Sequence, residues 1–296
     1  MPEPAAAGQQ PVLSSGPRQP FGSRLAAAMA ARGPLCVGID PHPGLLADWG
    51  LNDDVAGLER FSLTVVEAVA TLAAAVKPQV ALYERHGSAG MAVLERTLAA
   101  ASDAGVLSIA DAKRGDIGST MAAYADAWLR DGSALAADSV TLSPYLGFES
   151  LRPALDLAAE SGRGVFVLAL TSNPEGKSVQ HVGGSESVAR RIAGAAAEEN
   201  RRYSGAMGSV GLVVGATIGG ALVELGLDLD AVRGPILAPG LGAQGATPAD
   251  LRATFGTAYP AVLATSSRGI LAAGPTIAGL RSATEATRDG LLKGQA

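Results

Sequence analysis

The chain has 296 residues, 48% of them hydrophobic, and a formal charge of -5; this length suits either two small domains or one large one, since α/β barrels often run to this size undivided. The acidic balance argues against a nucleic-acid protein with a basic face and against a polybasic membrane-surface binder, so an anionic substrate has to be held by local groups. A single cysteine, Cys36, excludes an internal disulfide and a cysteine-based zinc site.

Residues 1–20 are rich in Pro, Ala, Gly and Gln and lack the basic start and apolar centre of a signal peptide. They read as a disordered N-terminal tail. No apolar stretch reaches the roughly 20 residues needed to span a bilayer, and the expected location is cytoplasmic. Residues 21–286 then alternate short apolar runs with helical segments, the pattern of a parallel α/β fold, and residues 287–296 read as a C-terminal tail. Eight candidate strands can be counted, which points to a single-domain (β/α)8 TIM barrel.

A helix from Gly22 to Ala31 is placed to close the barrel bottom. The first strand, Leu35 to Ile39, contains Cys36 as a small buried residue and ends in Asp40-Pro41-His42-Pro43-Gly44. A helix over Phe61 to Leu72 returns the chain to a second strand, Ala73 to Val76 with a possible extension to Leu82. This stretch includes Lys77-Pro78-Gln79, and a lysine in an apolar strand is unusual unless it is paired. A helix from Gly90 to Ala101 leads to the third strand, Val106 to Ala110, and a helix from Ser119 to Asp131 to the fourth, Ser139 to Leu142. The fifth strand, Val165 to Leu170, is almost wholly apolar, as expected for burial on both faces. The fifth strand ends in Thr171-Ser172-Asn173-Pro174-Glu175-Gly176, and from there to Gly184 the chain is polar, glycine-containing and longer than a minimal connection, so that either a mobile lid or a passive surface insertion fits it. Glu186 to Arg202 is helical, and the sixth strand is Val210 to Val214. The seventh, Ile236 to Ala238, runs into Pro239-Gly240-Leu241-Gly242-Ala243-Gln244-Gly245, a loop rich in exposed backbone N–H groups that suits an anion. Thr247-Pro248 has the cap-then-proline form of a helix start. The eighth strand, Ala261 to Ala264, ends in Thr265-Ser266-Ser267-Arg268-Gly269. The glycine loops after the seventh and eighth strands occupy the usual phosphate position of such a barrel, with Gln244 and Arg268 as the side chains aimed at it.

The most informative stretch is Asp111-Ala112-Lys113-Arg114-Gly115-Asp116, immediately after the third strand. Side chains two apart on a strand share a face, so Asp111 lies beside Lys113, with Asp116 just beyond. As a bare spacing this would be a surface ion-pair cluster of little energetic value. At the C-terminal end of a barrel strand, the same residues stand where such folds carry their chemistry. The three histidines, His42, His86 and His181, are far apart and read as loop or helix-end residues rather than metal ligands.

Seven stretches in barrel order resemble the orotidine 5'-phosphate decarboxylase family, within it the bacterial group with longer chains, over roughly residues 21 to 285. They are Gly38 to Pro43, Val76 to Gln79, Asp111 to Thr120, Leu170 to Pro174, Val214 to Thr217, Ala238 to Gly245 and Ser267 to Gly269. The resemblance implies conversion of orotidine 5'-monophosphate to uridine 5'-monophosphate and carbon dioxide, without metal or cofactor. It implies Lys113 as proton donor to C6, flanked by Asp111 and Asp116, the latter reaching the site from the partner subunit of a homodimer. It further implies Asp40 and Lys77 on the ribose hydroxyls, with Thr120 adding a contact across the dimer. Ser172 would contact the pyrimidine and its carboxylate, while the Pro239 loop, Gln244 and Arg268 would hold the phosphate. The nearest rival is a magnesium-dependent sugar-phosphate decarboxylase or aldolase with a similar D-x-K-x-x-D strand end. A catalytically inactive phosphate-binding barrel is the alternative from a different class.

Overall fold

Runs dominated by Val, Leu, Ile and Ala form strands here because both of their faces are covered, one by the barrel interior and one by helices. The computed structural model describes residues 18–242 and 245–293. Its strands are β1 (Leu35–Ile39), β2 (Ala75–Pro78), β3 (Leu107–Arg114), β4 (Ser139–Leu142), β5 (Gly164–Leu170), β6 (Val210–Val214), β7 (Ile236–Pro239) and β8 (Val262–Ser266). They close into a barrel in sequence order, β8 pairing with β1 and every neighbour parallel. This is the expected (β/α)8 barrel. The outer ring is made by helices Val55–Val69, Gly87–Asp103, Gly118–Leu129, Arg152–Ser161, Val188–Asn200, Pro248–Phe255 and Ile277–Leu292, while only a four-residue turn, Ala221–Glu224, follows β6. Among the described residues no helix is long and apolar enough to cross a membrane.

The strand period of two stacks the barrel interior in layers. Cys36, Ala75, Ile109, Phe166, Val213, Leu237 and Leu263 form one apolar cluster with Phe21, Leu25, Ala28 and Met29 of the helix Phe21–Arg32. That helix closes the bottom, as expected from the sequence. Its Phe21 ring meets Phe166 edge to face, with centroids 5.9 Å apart at 87°. Gly164 makes this possible, since a Cβ there would lie 2.2 Å from the Phe21 ring. Two residues further along the same inward faces, the side chains become Lys77, Asp111, Leu168, Pro239 and Thr265, all of which line a cavity at the C-terminal mouth. An apolar floor therefore sits directly beneath a polar layer.

Several expected boundaries move. The helix expected from Phe61 starts at Val55, because the Asp54 carboxylate accepts from the Gly57 N–H at 2.8 Å and caps it. β2 stops at Pro78, and Ala81–Glu84 is a helical turn rather than more strand. β3 runs four residues past Ala110, so Asp111 and Lys113 lie within the strand and not after it. At the C-terminus, residues 287–292 are not a tail. They complete the helix Ile277–Leu292, whose Leu291 is fully buried and gives its carbonyl to the Tyr259 hydroxyl at 3.2 Å. Most of the expected N-terminal tail, residues 1–17, lies outside the described residues, but Arg18 is fastened to the barrel by bonds to Asp131 Oδ1 (2.9 Å) and the Ser161 carbonyl (2.7 Å). The cap at Thr247 is a full capping box with Asp250.

Removing the plug under the floor should cost stability without touching the mouth. We expect Phe21→Ala to lower the unfolding free energy by about 3–5 kcal/mol, measured by urea denaturation, while ligand affinity at the mouth is retained.

Candidate active site

The cavity at the C-terminal mouth has a volume of about 320 Å³ and is lined by Asp40, His42, Lys77, Gln79, Asp111, Lys113, Thr141, Thr171, Pro239, Thr265, Ser267 and Arg268 over Leu168, Val213 and Leu237. At its centre the Asp111 carboxylate takes four donors, two on each oxygen. Oδ2 accepts from Lys77 Nζ at 2.8 Å and Gln79 Nε2 at 3.1 Å. Oδ1 accepts from Lys113 Nζ at 2.6 Å and the Thr141 hydroxyl at 3.0 Å. The pairing expected for Lys77 is thus supplied by Asp111, one strand over.

Both members of that pair are buried, and their ionisation follows from each other. Burial alone would raise the Asp111 pKa, but the ammonium groups of Lys77 and then Lys113 overcome it and hold the carboxyl well below its ordinary 3.8. Burial likewise works to lower Lys77, yet Asp111 and Asp40 leave it raised above its ordinary 10.5. The neighbouring Cys36 thiol, pushed up to about 12 chiefly by burial, stays protonated beneath them. Lys113 differs from Lys77 in access: its side chain is 47% exposed, against 6% for Lys77. One lysine is sealed into the wall and the other faces the opening.

The backbone is bent to achieve this. Ala110 pairs with Val140 and Arg114 with Leu142, so Asp111, Ala112 and Lys113 of β3 stand opposite Thr141 alone. Lys113 takes φ +49°, a left-handed conformation uncommon for a residue with a side chain. A bulge of this kind re-aims side chains at the rim of a barrel.

Across the mouth, Asp40 accepts a 2.5 Å hydrogen bond from the Ser267 hydroxyl on Oδ2, while its buried Oδ1 has no partner among the described residues. Thr265 Oγ1 is in the same state. Buried polar atoms without partners are uncommon, and both residues belong to the cavity lining. Arg268 is exposed at the start of a helical turn, Arg268–Leu271, beside Pro239.

Of the residues singled out in the sequence, Asp40, Lys77, Asp111, Lys113, Pro239 and Arg268 converge on the cavity. Asp116, Thr120 and Ser172 do not line it. Asp116 instead accepts from the Ile117 N–H at 2.8 Å, and Thr120 and Ser172 are exposed. Gln244 lies outside the described residues. Gln79, Thr141, Thr265 and Ser267 were missed. Three of them had a signal in the same period of two: Gln79 follows Lys77 by two, and Thr265 and Ser267 alternate at the end of β8. Among the described residues no three His, Cys, Asp or Glu side chains converge as a metal-ligand set.

A carboxylate held below 3.8 in the folded state stabilises the fold above that value and loses its contribution as pH falls through the lower folded value. Asp111→Asn should therefore flatten the acid side of the stability profile. At neutral pH it should cost about 3–5 kcal/mol, because the buried Lys77 ammonium loses its hydrogen-bonded counter-ion and keeps only the more distant Asp40. Denaturation series at several pH values check both.

The match to known proteins runs nearly the length of the chain. Residues 33–283 match the family model for "Orotidine 5'-phosphate decarboxylase / HUMPS family". Proteins named orotidine 5'-phosphate decarboxylase are 60% identical in Salinispora arenicola (90% of this chain, 94% of that one) and 57% identical in Streptomyces coelicolor (90% and 95%). A crystal structure from Streptomyces avermitilis superposes with TM-score 0.91 at 55% identity, covering 96% of this chain and 99% of the other. The OMP decarboxylase of Leishmania donovani superposes with TM-score 0.74 at 30% identity, over 93% and 98%. Sequence and barrel both match over nearly the whole chain, and the chain belongs to the orotidine 5'-phosphate decarboxylase family.

Proposed function

We propose that the chain converts orotidine 5'-monophosphate to uridine 5'-monophosphate and carbon dioxide, the last step of UMP synthesis, using Lys113 as the acid that protonates C6. The support is the Asp111 carboxylate bridging two ammonium groups at the barrel mouth, one of them exposed to the cavity, in a chain of this family. Loss of carbon dioxide from C6 leaves an electron pair that the ring carbonyls cannot delocalise. A fixed ammonium beside that carbon stabilises charge that develops mainly in the transition state, and then delivers a proton. Asp111 keeps Lys113 charged and aimed. The unpartnered Asp40 Oδ1 and the Lys77 ammonium suit the ribose hydroxyls, and Arg268, with Gln244 and the loop after Pro239, suits the phosphate.

The site of one chain is incomplete without a second copy, and we place Asp116 and Thr120 in the partner's mouth in a homodimer. Ile117, next to Asp116 in the chain, is 62% exposed, and in the loop after β4, whose Ser143 N–H bonds the Arg114 carbonyl, Tyr145 is 79% and Leu146 55% exposed. Large apolar side chains grouped in this way mark an association surface. The segment after β5 that carries Ser172 is held by Gln180, which bonds Thr171 twice, at 2.8 and 2.7 Å. With Val179 and Val182 exposed beyond it, it is suited to fold over bound nucleotide as a lid, bringing Ser172 to the pyrimidine. A cytoplasmic location follows from this role. The magnesium-dependent reading is disfavoured by the donor set, since both Asp111 oxygens already accept from ammonium groups.

Lys113→Ala should abolish the absorbance change of orotidine 5'-monophosphate while uridine 5'-monophosphate still binds by calorimetry; unchanged turnover would overturn the reading, as would loss of wild-type turnover to a chelator. Mixing inactive Lys113→Ala and Asp116→Ala proteins should restore activity, because exchanged dimers hold one intact site. No recovery after proven exchange would remove Asp116 from the shared site.

A further inference from the structure

Thr141 stands alone on β4 opposite the three bulged residues of β3. It is 1% exposed. Its Oγ1 accepts from the backbone N–H of Lys113 at 2.9 Å and lies 3.0 Å from Asp111 Oδ1. The direction of the hydroxyl proton is settled by its neighbours: a backbone N–H only donates, and an ionised carboxylate only accepts. The hydroxyl is therefore used in both senses at once. The same Oδ1 receives the Lys113 ammonium at 2.6 Å. A closed ring results, running from the Lys113 backbone through Thr141 and Asp111 to the Lys113 side chain.

The ring bears on two features that need an explanation. Lys113 is held at φ +49°, a conformation that persists only where surrounding contacts over-determine it. The bulge also leaves the Lys113 N–H without a place in the β3–β4 ladder, and the Thr141 hydroxyl oxygen is the acceptor it finds instead. Thr141 answers both, and it fixes the rotation of the Asp111 carboxylate that aims Lys113 Nζ.

We propose that Thr141 is a positioning residue for catalysis, holding the Asp111–Lys113 couple in the geometry from which Lys113 delivers its proton. It acts through those two groups and needs no contact with substrate. The proposal rests on Lys113 being the acid, as argued above. Its effect falls on kcat rather than on nucleotide affinity, because Asp40, bonded by Ser267, and Arg268 stand just beyond β1 and β8, across the barrel from β4.

The test compares Thr141→Val, which keeps the branched shape and removes the hydroxyl, with Thr141→Ser, which keeps the hydroxyl. Lys113→Ala is assayed alongside. The valine variant should lose about tenfold or more in kcat with KM little changed, as expected when an interaction made for the transition state is removed. The serine variant should recover most of the loss. Full kcat in the folded valine variant overturns the proposal, and so does a serine variant as impaired as the valine one, which would assign the effect to packing. A rise in KM at unchanged kcat overturns it as well. Should the valine protein fail to fold, Thr141→Ala, which adds no bulk, is read by the same criteria. If Lys113→Ala itself turns over normally, the fault lies with the assignment of the acid; a dead Lys113→Ala beside a fully active Thr141→Val refutes the role of Thr141 alone.

Discussion

The mouth of this barrel depends on one carboxylate shared between two ammonium groups. A single buried lysine carries a large desolvation cost, and a buried Lys–Asp pair offsets it only where the remaining hydrogen-bonding positions are filled. Asp111 meets that condition with Lys77, Lys113, Gln79 and Thr141. Lys77, Asp111 and Lys113 alternate in sign, with Asp40 also acting on Lys77, and the exposed ammonium of Lys113 stands on the side open to the cavity. An anionic nucleotide entering a chain of net charge -5 thus meets positive charge where the chemistry needs it, with Arg268 adding a second centre at the rim.

The barrel makes that arrangement affordable by separating its layers. Below the charged residues, Cys36, Ala75, Ile109, Phe166, Val213, Leu237 and Leu263 fill the interior on the plug of the helix Phe21–Arg32. This dry floor limits solvent access from beneath, so the electrostatic attraction within the polar layer is less screened. The rigidity of the parallel strands also lets the strained Lys113 backbone persist, since β3 is held by β4 on both sides of the bulge, at Val140 and Leu142.

The rim is built differently from the wall. Asp116 and Thr120 flank the start of the helix Gly118–Leu129, outside the cavity lining, with the exposed Ile117 between them. Sharing those residues between two copies would couple association to completion of the site. A single chain brings Asp40, Lys77, Asp111 and Lys113 to the cavity and leaves Asp116 and Thr120 outside its lining.

Local order was legible in the sequence, and long-range pairing was not. The eight strands follow from short apolar runs, and the proximity of Asp111 to Lys113 follows from the two-residue repeat of a strand, because both are set by neighbours along the chain. Asp40, Lys77 and Arg268 could be assigned to the mouth for the same reason: each stands at or near the end of a recognisable strand. The partners could not be assigned. Lys77 meets Asp111 across 34 residues, Thr141 meets Asp111 across 30, and Ser267 meets Asp40 across 227. Those contacts are decided by the parallel register of neighbouring strands and by the bulge in β3, which skews that register by two residues. Apolar runs and the two-residue strand repeat were enough to bring Asp40, Lys77, Asp111, Lys113 and Arg268 to the mouth; which of them touch, and that Gln79, Thr141, Thr265 and Ser267 join them, was settled by inter-strand register and closure, which are properties of all eight strands at once.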